Sequence, residues 1–135
     1  MTGVQTCALP IWGVEYELRI YGTRAAAITA TARAITATGS PVIWLAWWGA
    51  HAWVITGYRA AADPVIFADA TIQGVYVLDP WYPRVSSIWG RSDPPGTFQD
   101  AAEMKRNFPA WKRPEGHYPA RDGKFLVIIP VDAPE

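Results

Sequence analysis

The chain has 135 residues, half of them apolar, with 12 lysines and arginines against 12 aspartates and glutamates. That length argues for one domain, and the apolar content supplies a core, which excludes an intrinsically disordered chain. Balanced charge removes the basic footprint of nucleic-acid binding, no stretch approaches the roughly 18 apolar residues of a membrane helix, and a single cysteine excludes an internal disulfide.

Residues 1–11, MTGVQTCALPI, resemble the translation of a short-read sequencing adapter joined to an insert. On that reading they were never selected to fold, and the true chain begins further upstream. Residues 12–135 are then expected to be the C-terminal part of a single domain. From Val14 to Ile20 apolar and polar residues alternate: Val14, Tyr16, Leu18 and Ile20 against Glu15, Glu17 and Arg19. Period two predicts a half-buried strand. Thr23 to Thr38 follows as a helix, with Thr23 as N-cap, Gly39 as stop, and an apolar face of Ala25, Ile28, Ala32 and Ile35.

Val42 to Trp47 reads as an extended run, and Trp48-Gly49-Ala50 as a turn. His51 to Tyr58 and Gly74 to Asp79 are rich in β-formers and read as strands, the second stopped by Pro80. Residues 80–123 hold seven of the 12 prolines and are expected to be mostly irregular, with one helix from about Phe98 to Asn107 capped by Thr97. Lys124 to Ile129 reads as a buried strand. The order of elements predicts an α+β fold: a mostly antiparallel sheet, one packed helix and a long proline-rich loop.

His51 opens one predicted strand and Asp79 closes another. If the two strands pair antiparallel with Tyr58 near Gly74, His51 and Asp79 fall within two residues of facing each other. Side chains across such a pair stand about 5 Å apart at Cβ, so an imidazole–carboxylate hydrogen bond is within reach. A carboxylate on one ring nitrogen fixes the tautomer and makes the other nitrogen a better base. Two plainer readings stand beside this one. Asp before Pro commonly opens a turn, and a histidine in an apolar strand is often structural.

The segment GSPVIWLAWWGAHAWVITGY, followed by GVYVLDPW, resembles papain-like cysteine peptidases related to the bacteriocin-processing (double-glycine leader) peptidases. The resemblance rests on Gly39 to Val42, Ala50 to Tyr58 and Asp79-Pro80, and covers roughly residues 23–81. It implies the sheet half of a papain-like fold, hydrolysis of a peptide bond by a thiol, His51 as general base and Asp79 as its orienting partner. It implies a peptide substrate and neither metal nor organic cofactor. It also requires a cysteine opening a helix, with a glutamine upstream for the oxyanion hole. Gln5 and Cys7 imitate that pattern, but they lie in the adapter-like string, and an alternating strand follows where a helix is needed. The expectation is that the working cysteine precedes this sequence and that the chain as written lacks its nucleophile.

Other chemistries find less support. The two histidines, His51 and His117, form no His-Glu-x-x-His pair for a metal, no Gly-x-Ser-x-Gly supplies a serine nucleophile, and no glycine-rich loop precedes a helix. Trp44, Trp47, Trp48, Trp53, Trp81, Trp89 and Trp111 carry an alternative of another class, a non-catalytic peptide- or glycan-binding module with Trp53, Trp81 and Trp89 as its chosen contacts, beside the plainer reading that most of them are core or support the loop 80–123.

Overall fold

Thr23 and Gly39 bound the first helix by ordinary capping chemistry. The Thr23 side chain accepts from the Ala26 N–H, and Gly39 takes the left-handed conformation, φ 70°, that lets its N–H return to the Ile35 carbonyl. The computed structural model describes residues 2–11, 13–112 and 118–135, the first segment by its backbone alone. The elements are β1 (Thr2–Ile11), β2 (Val14–Tyr21), α1 (Arg24–Thr38), β3 (Val42–Ala46), β4 (His51–Ala60), β5 (Ile72–Leu78), β6 (Val85–Ser86), β7 (Gly90–Arg91), β8 (Thr97–Asp100), α2 (Ala101–Asn107) and β9 (Phe125–Pro130). Among the described residues no helix is long and apolar enough to cross a membrane.

The fold is α+β. Seven strands form one sheet in the order β1-β2-β9-β3-β4-β5-β8, and every neighbouring pair is antiparallel. The C-terminal strand β9 therefore sits inside the sheet between β2 and β3. Alternate residues face α1, and Val42, Trp44, Ile55, Val75, Val77, Val127 and Ile129 join Ala27, Ile28 and Ala34 of the helix in the main core. On the opposite face Leu18, Leu126 and Trp111 make a smaller cluster backed by Ile20, Leu45 and Ile128.

Three expectations need correction. The apolar stripe of β2 was assigned to the buried side and Glu17 and Arg19 to water; instead both faces are covered. Pairing of Arg19 with Val127 and Glu17 with Ile129 turns these charged residues toward α1. Arg19 Nε donates to Glu17 Oε1 at 2.6 Å, and its other nitrogens donate to the carbonyls of Val131, Ala133 and Pro134. The tail after β9 supplies these acceptors, and a pattern local to β2 carries no trace of it. The guanidinium has five N–H donors, so a buried arginine is tolerable only where carbonyls surround it.

The face of α1 is also rotated. Ala25 is exposed, and Thr31 is buried in its place. The Thr31 hydroxyl donates to the Ala27 carbonyl and accepts from Trp44 Nε1, both at 2.8 Å. Trp44 in turn stacks on Phe108 with ring centroids 4.3 Å apart. Lastly, residues 97–100 are not helical: they form β8 and pair with β5, Val75 opposite Gln99. The helix cap is Asp100, which forms a capping box with Glu103, in place of Thr97. Gly74 makes this pairing feasible, since a Cβ there would sit 2.3 Å from the Phe98 ring.

Thr31→Val keeps the shape of the side chain but leaves the buried Trp44 N–H without an acceptor. It is expected to destabilise the fold by about 1–3 kcal/mol, and Thr31→Ser by less than half of that, in denaturant unfolding of both variants.

Candidate active site

The β3–β4 hairpin turns through three consecutive left-handed residues. Trp47, Trp48 and Gly49 have φ of 51°, 59° and 86°. For a tryptophan this conformation costs on the order of 1–2 kcal/mol, so surrounding contacts must hold it. They are visible: the Trp111 indole lies against Gly49, where a Cβ would come within 2.1 Å of its nitrogen, and the Lys112 N–H donates to the Trp48 carbonyl. Trp47 is buried between two rings, stacked on His51 at 4.4 Å and on Trp89 at 5.2 Å between centroids. The strained turn thus delivers an indole flat against the imidazole.

His51 is the first residue of β4, paired with Ala46. Across the other edge, Val54 pairs with Leu78, so the next step faces Trp53 toward Asp79 and leaves His51 on the diagonal. The residues are two apart along a strand and therefore share a face. His51 Nε2 lies 2.6 Å from Asp79 Oδ1. The histidine side chain is 13% exposed and the carboxylate 1%. Facing an ionised carboxylate, which only accepts, Nε2 has to be the donor, and the neutral tautomer that meets this requirement keeps a lone pair on Nδ1. Among the described residues nothing hydrogen-bonds to Nδ1. An imidazole held this way, by Asp79 at one nitrogen and Trp47 on its face, has the geometry that an oriented base requires.

The turn reading of Asp79 holds at the same time. Its Oδ1 also accepts from the Trp81 N–H at 2.9 Å, and its carbonyl accepts from the Tyr82 N–H. One Asp-Pro step therefore opens the loop and presents the carboxylate. The second oxygen, Oδ2, is buried with no partner among the described residues, as is Trp53 Nε1. The residues that carry them, Asp79 and Trp53, line a polar cavity of about 90 Å³ behind the pair, whose walls also include Asp93, Gln99 and Asn107.

The tryptophans divide. Trp53 is 2% exposed, so its ring is not part of the open surface and borders only the small cavity behind the pair. Trp89 is half-buried in the stack on Trp47. Trp81 is 37% exposed with its ring edge-on to His51, centroids 6.5 Å apart. Trp48, 50% exposed, and Tyr82 add to the open aromatic surface beside the pair. Cys7 stands on β1, four strand spacings from β4, a lateral separation alone of roughly 19 Å from the strand of His51. His117 lies outside the described residues.

Trp47 stood only among the tryptophans that could line a groove, and Asp93, Gln99 and Asn107 were not candidates at all. Nothing local marks them: Gln99 and Asn107 fell within one predicted helix, and Asp93 in a loop. Comparison with known proteins finds no family model, no curated protein and no solved structure that matches this chain.

Two predictions follow from this geometry. Gly49→Ala forces a Cβ into the Trp111 indole at a left-handed position, and is expected to cost at least 1–3 kcal/mol in denaturant unfolding and to shift the tryptophan fluorescence. Burial, reinforced by the Asp79 charge and opposed by the hydrogen bond from Gln99, raises the Asp93 carboxyl above its ordinary range. A raised acid binds protons more readily folded than unfolded, so stability falls as pH rises from the ordinary carboxylate range through the folded value. Asp93→Asn is therefore expected to raise Tm at pH 7 and to have no such effect near pH 3, read from thermal melts at both.

Proposed function

We propose that this chain carries the base and orienting acid of a cysteine peptidase-like active site, on the sheet half of a papain-like fold. The observation that carries the reading is the 2.6 Å bond between His51 Nε2 and a buried Asp79, with Nδ1 unengaged. In this mechanism His51 Nδ1 accepts the proton of a thiol, the thiolate attacks the scissile carbonyl, and the imidazolium returns the proton to the leaving amine. Water then releases the acyl group by the same path in reverse. Asp79 holds the tautomer and stabilises the imidazolium without taking its proton. The residues present call for no metal or organic cofactor in these steps.

The nucleophile is expected from outside the described residues, since Cys7 is on the wrong strand. The substrate is a peptide whose flanking residues lie over Trp81 and Trp48. A second reading rests on those same open rings: a non-catalytic module that stacks a peptide or glycan on Trp81, with Trp89 supporting it from the Trp47 stack.

The readings separate in the gene product read from genomic DNA across the Ile11–Trp12 junction. The peptidase reading expects a peptidyl epoxide to label one cysteine, and His51→Ala, still melting cooperatively, to slow labelling by about 10²–10⁴-fold. Unchanged labelling in that variant, or no cysteine to label, contradicts it. The binding reading expects Trp81→Ala and Trp89→Ala to abolish binding in a peptide and glycan array, and retained binding in both sinks it.

A further inference from the structure

The side chains behind the dyad form one directional chain of hydrogen bonds. Trp47 Nε1 donates to Asn107 Oδ1 at 3.3 Å, and Asn107 Nδ2 donates to Gln99 Oε1 at 3.1 Å. Gln99 Nε2 then donates to Asp93 Oδ2 in a short hydrogen bond. The chain starts at a carboxylate and ends at the indole that stacks on His51. Its members come from four places: the β3–β4 turn, the end of α2, β8, and the loop before β8. Gln99 is fully buried, and both of its amide groups are engaged, so its orientation is fixed by its neighbours.

We propose that Asp93, Gln99 and Asn107 are positioning residues for His51, acting through Trp47, and that the protonation state of Asp93 is transmitted along this relay to the imidazole. The inference rests on the dyad reading above. Its physical basis is the asymmetry between charged and neutral acceptors. An ionised Asp93 accepts a charge-assisted bond, roughly twice as strong as a neutral one, and this pins the Gln99 amide with Oε1 toward Asn107. That pinning turns Asn107 Oδ1 toward the indole N–H, because hydrogen bonds in a chain polarise one another. A protonated Asp93 accepts weakly and can itself donate, so the direction of the relay is no longer imposed and the Trp47 N–H loses its fixed acceptor. The Trp47 ring is already held in a strained turn, so it depends on such contacts to stay flat on His51.

The charges facing Asp93 across the same cavity are Asp79 and Glu103 on one side of the balance and Arg91 and Arg106 on the other. Burial, and after it the Asp79 charge, favour the protonated form and raise the Asp93 carboxyl above its ordinary value, while the hydrogen bond from Gln99 opposes them. Asp79 and Trp53, whose Oδ2 and Nε1 are buried and unpartnered, line this cavity as well, so the orienting acid and the relay border one polar compartment.

The test is an NMR pH titration of the isotopically labelled protein, following the Trp47 indole N–H and the Gln99 side-chain amide. The relay predicts that both move in one common step with a midpoint above the ordinary carboxylate range. Asp93→Asn removes the step from both. Asn107→Leu removes it from Trp47 and retains it at Gln99. A Trp47 signal that ignores the step, or that keeps it in Asn107→Leu, overturns the proposal, the latter by showing that the influence passes through space. Where Asn107→Leu does not melt cooperatively, Trp47→Phe replaces it: the ring stays, the N–H goes, and the His51 ring protons are expected to lose the step; their keeping it overturns the relay. A wild-type His51 with no protected Nε2–H defeats the dyad reading instead, whatever the relay does.

Discussion

Val54 pairs with Leu78, and one step further along the same two strands Trp53 faces Asp79. That register sets the diagonal on which His51 meets the carboxylate. A slip of one residue would carry Asp79 to the other face of the sheet and leave the imidazole without a partner. The register is held from both sides. Val75 and Val77 enter the core with Ile55, while Gly74 lets β8 close on the far edge of β5. The position of the candidate base is thus a consequence of core packing several residues away from it.

Polar groups inside the fold follow the same economy of partners. Arg19 is buried because Glu17 and three tail carbonyls surround it, and Trp44 is buried because Thr31 accepts its N–H. Burying either without partners would cost several kcal/mol. Against that background the two unsatisfied atoms at the site, Asp79 Oδ2 and Trp53 Nε1, stand out. Their residues line one polar cavity beside the dyad, and Trp47 of the strained turn lines it too. A third buried, unpartnered atom, Arg33 Nε on α1, lies away from this cavity, but two of the three meet the backbone strain at the site, the combination that functional sites tend to display.

Much of this was legible in the sequence wherever the governing signal was local. Thr23 and Gly39 announce a helix because caps act within a turn of the chain. The β4 and β5 segments announce themselves by composition, and simple index arithmetic placed His51 near Asp79. What could not be read depended on distant partners. The tail that covers Arg19 lies more than a hundred residues away from it. Trp53 and Trp81 look alike as letters, yet one is enclosed and the other open, and only the register of β4 and the Asp79-Pro80 turn decide which. Residues 97–100 read as helix from local pattern alone, whereas the Asp100–Glu103 capping box starts the helix later and pairing with β5 is a tertiary choice that outweighs local preference. The relay behind the dyad gathers residues from 47 to 107 and has no local signature at all.

The account stands on one bond, and long-range ¹⁵N–¹H correlation spectra of His51 read it directly. The predicted result is a single neutral tautomer protonated at Nε2, with an exchange-protected, downfield Nε2–H that disappears in Asp79→Ala while the protein still melts cooperatively. Averaged tautomers with no protected ring N–H in the wild-type protein, or a signal unchanged in Asp79→Ala, would contradict it.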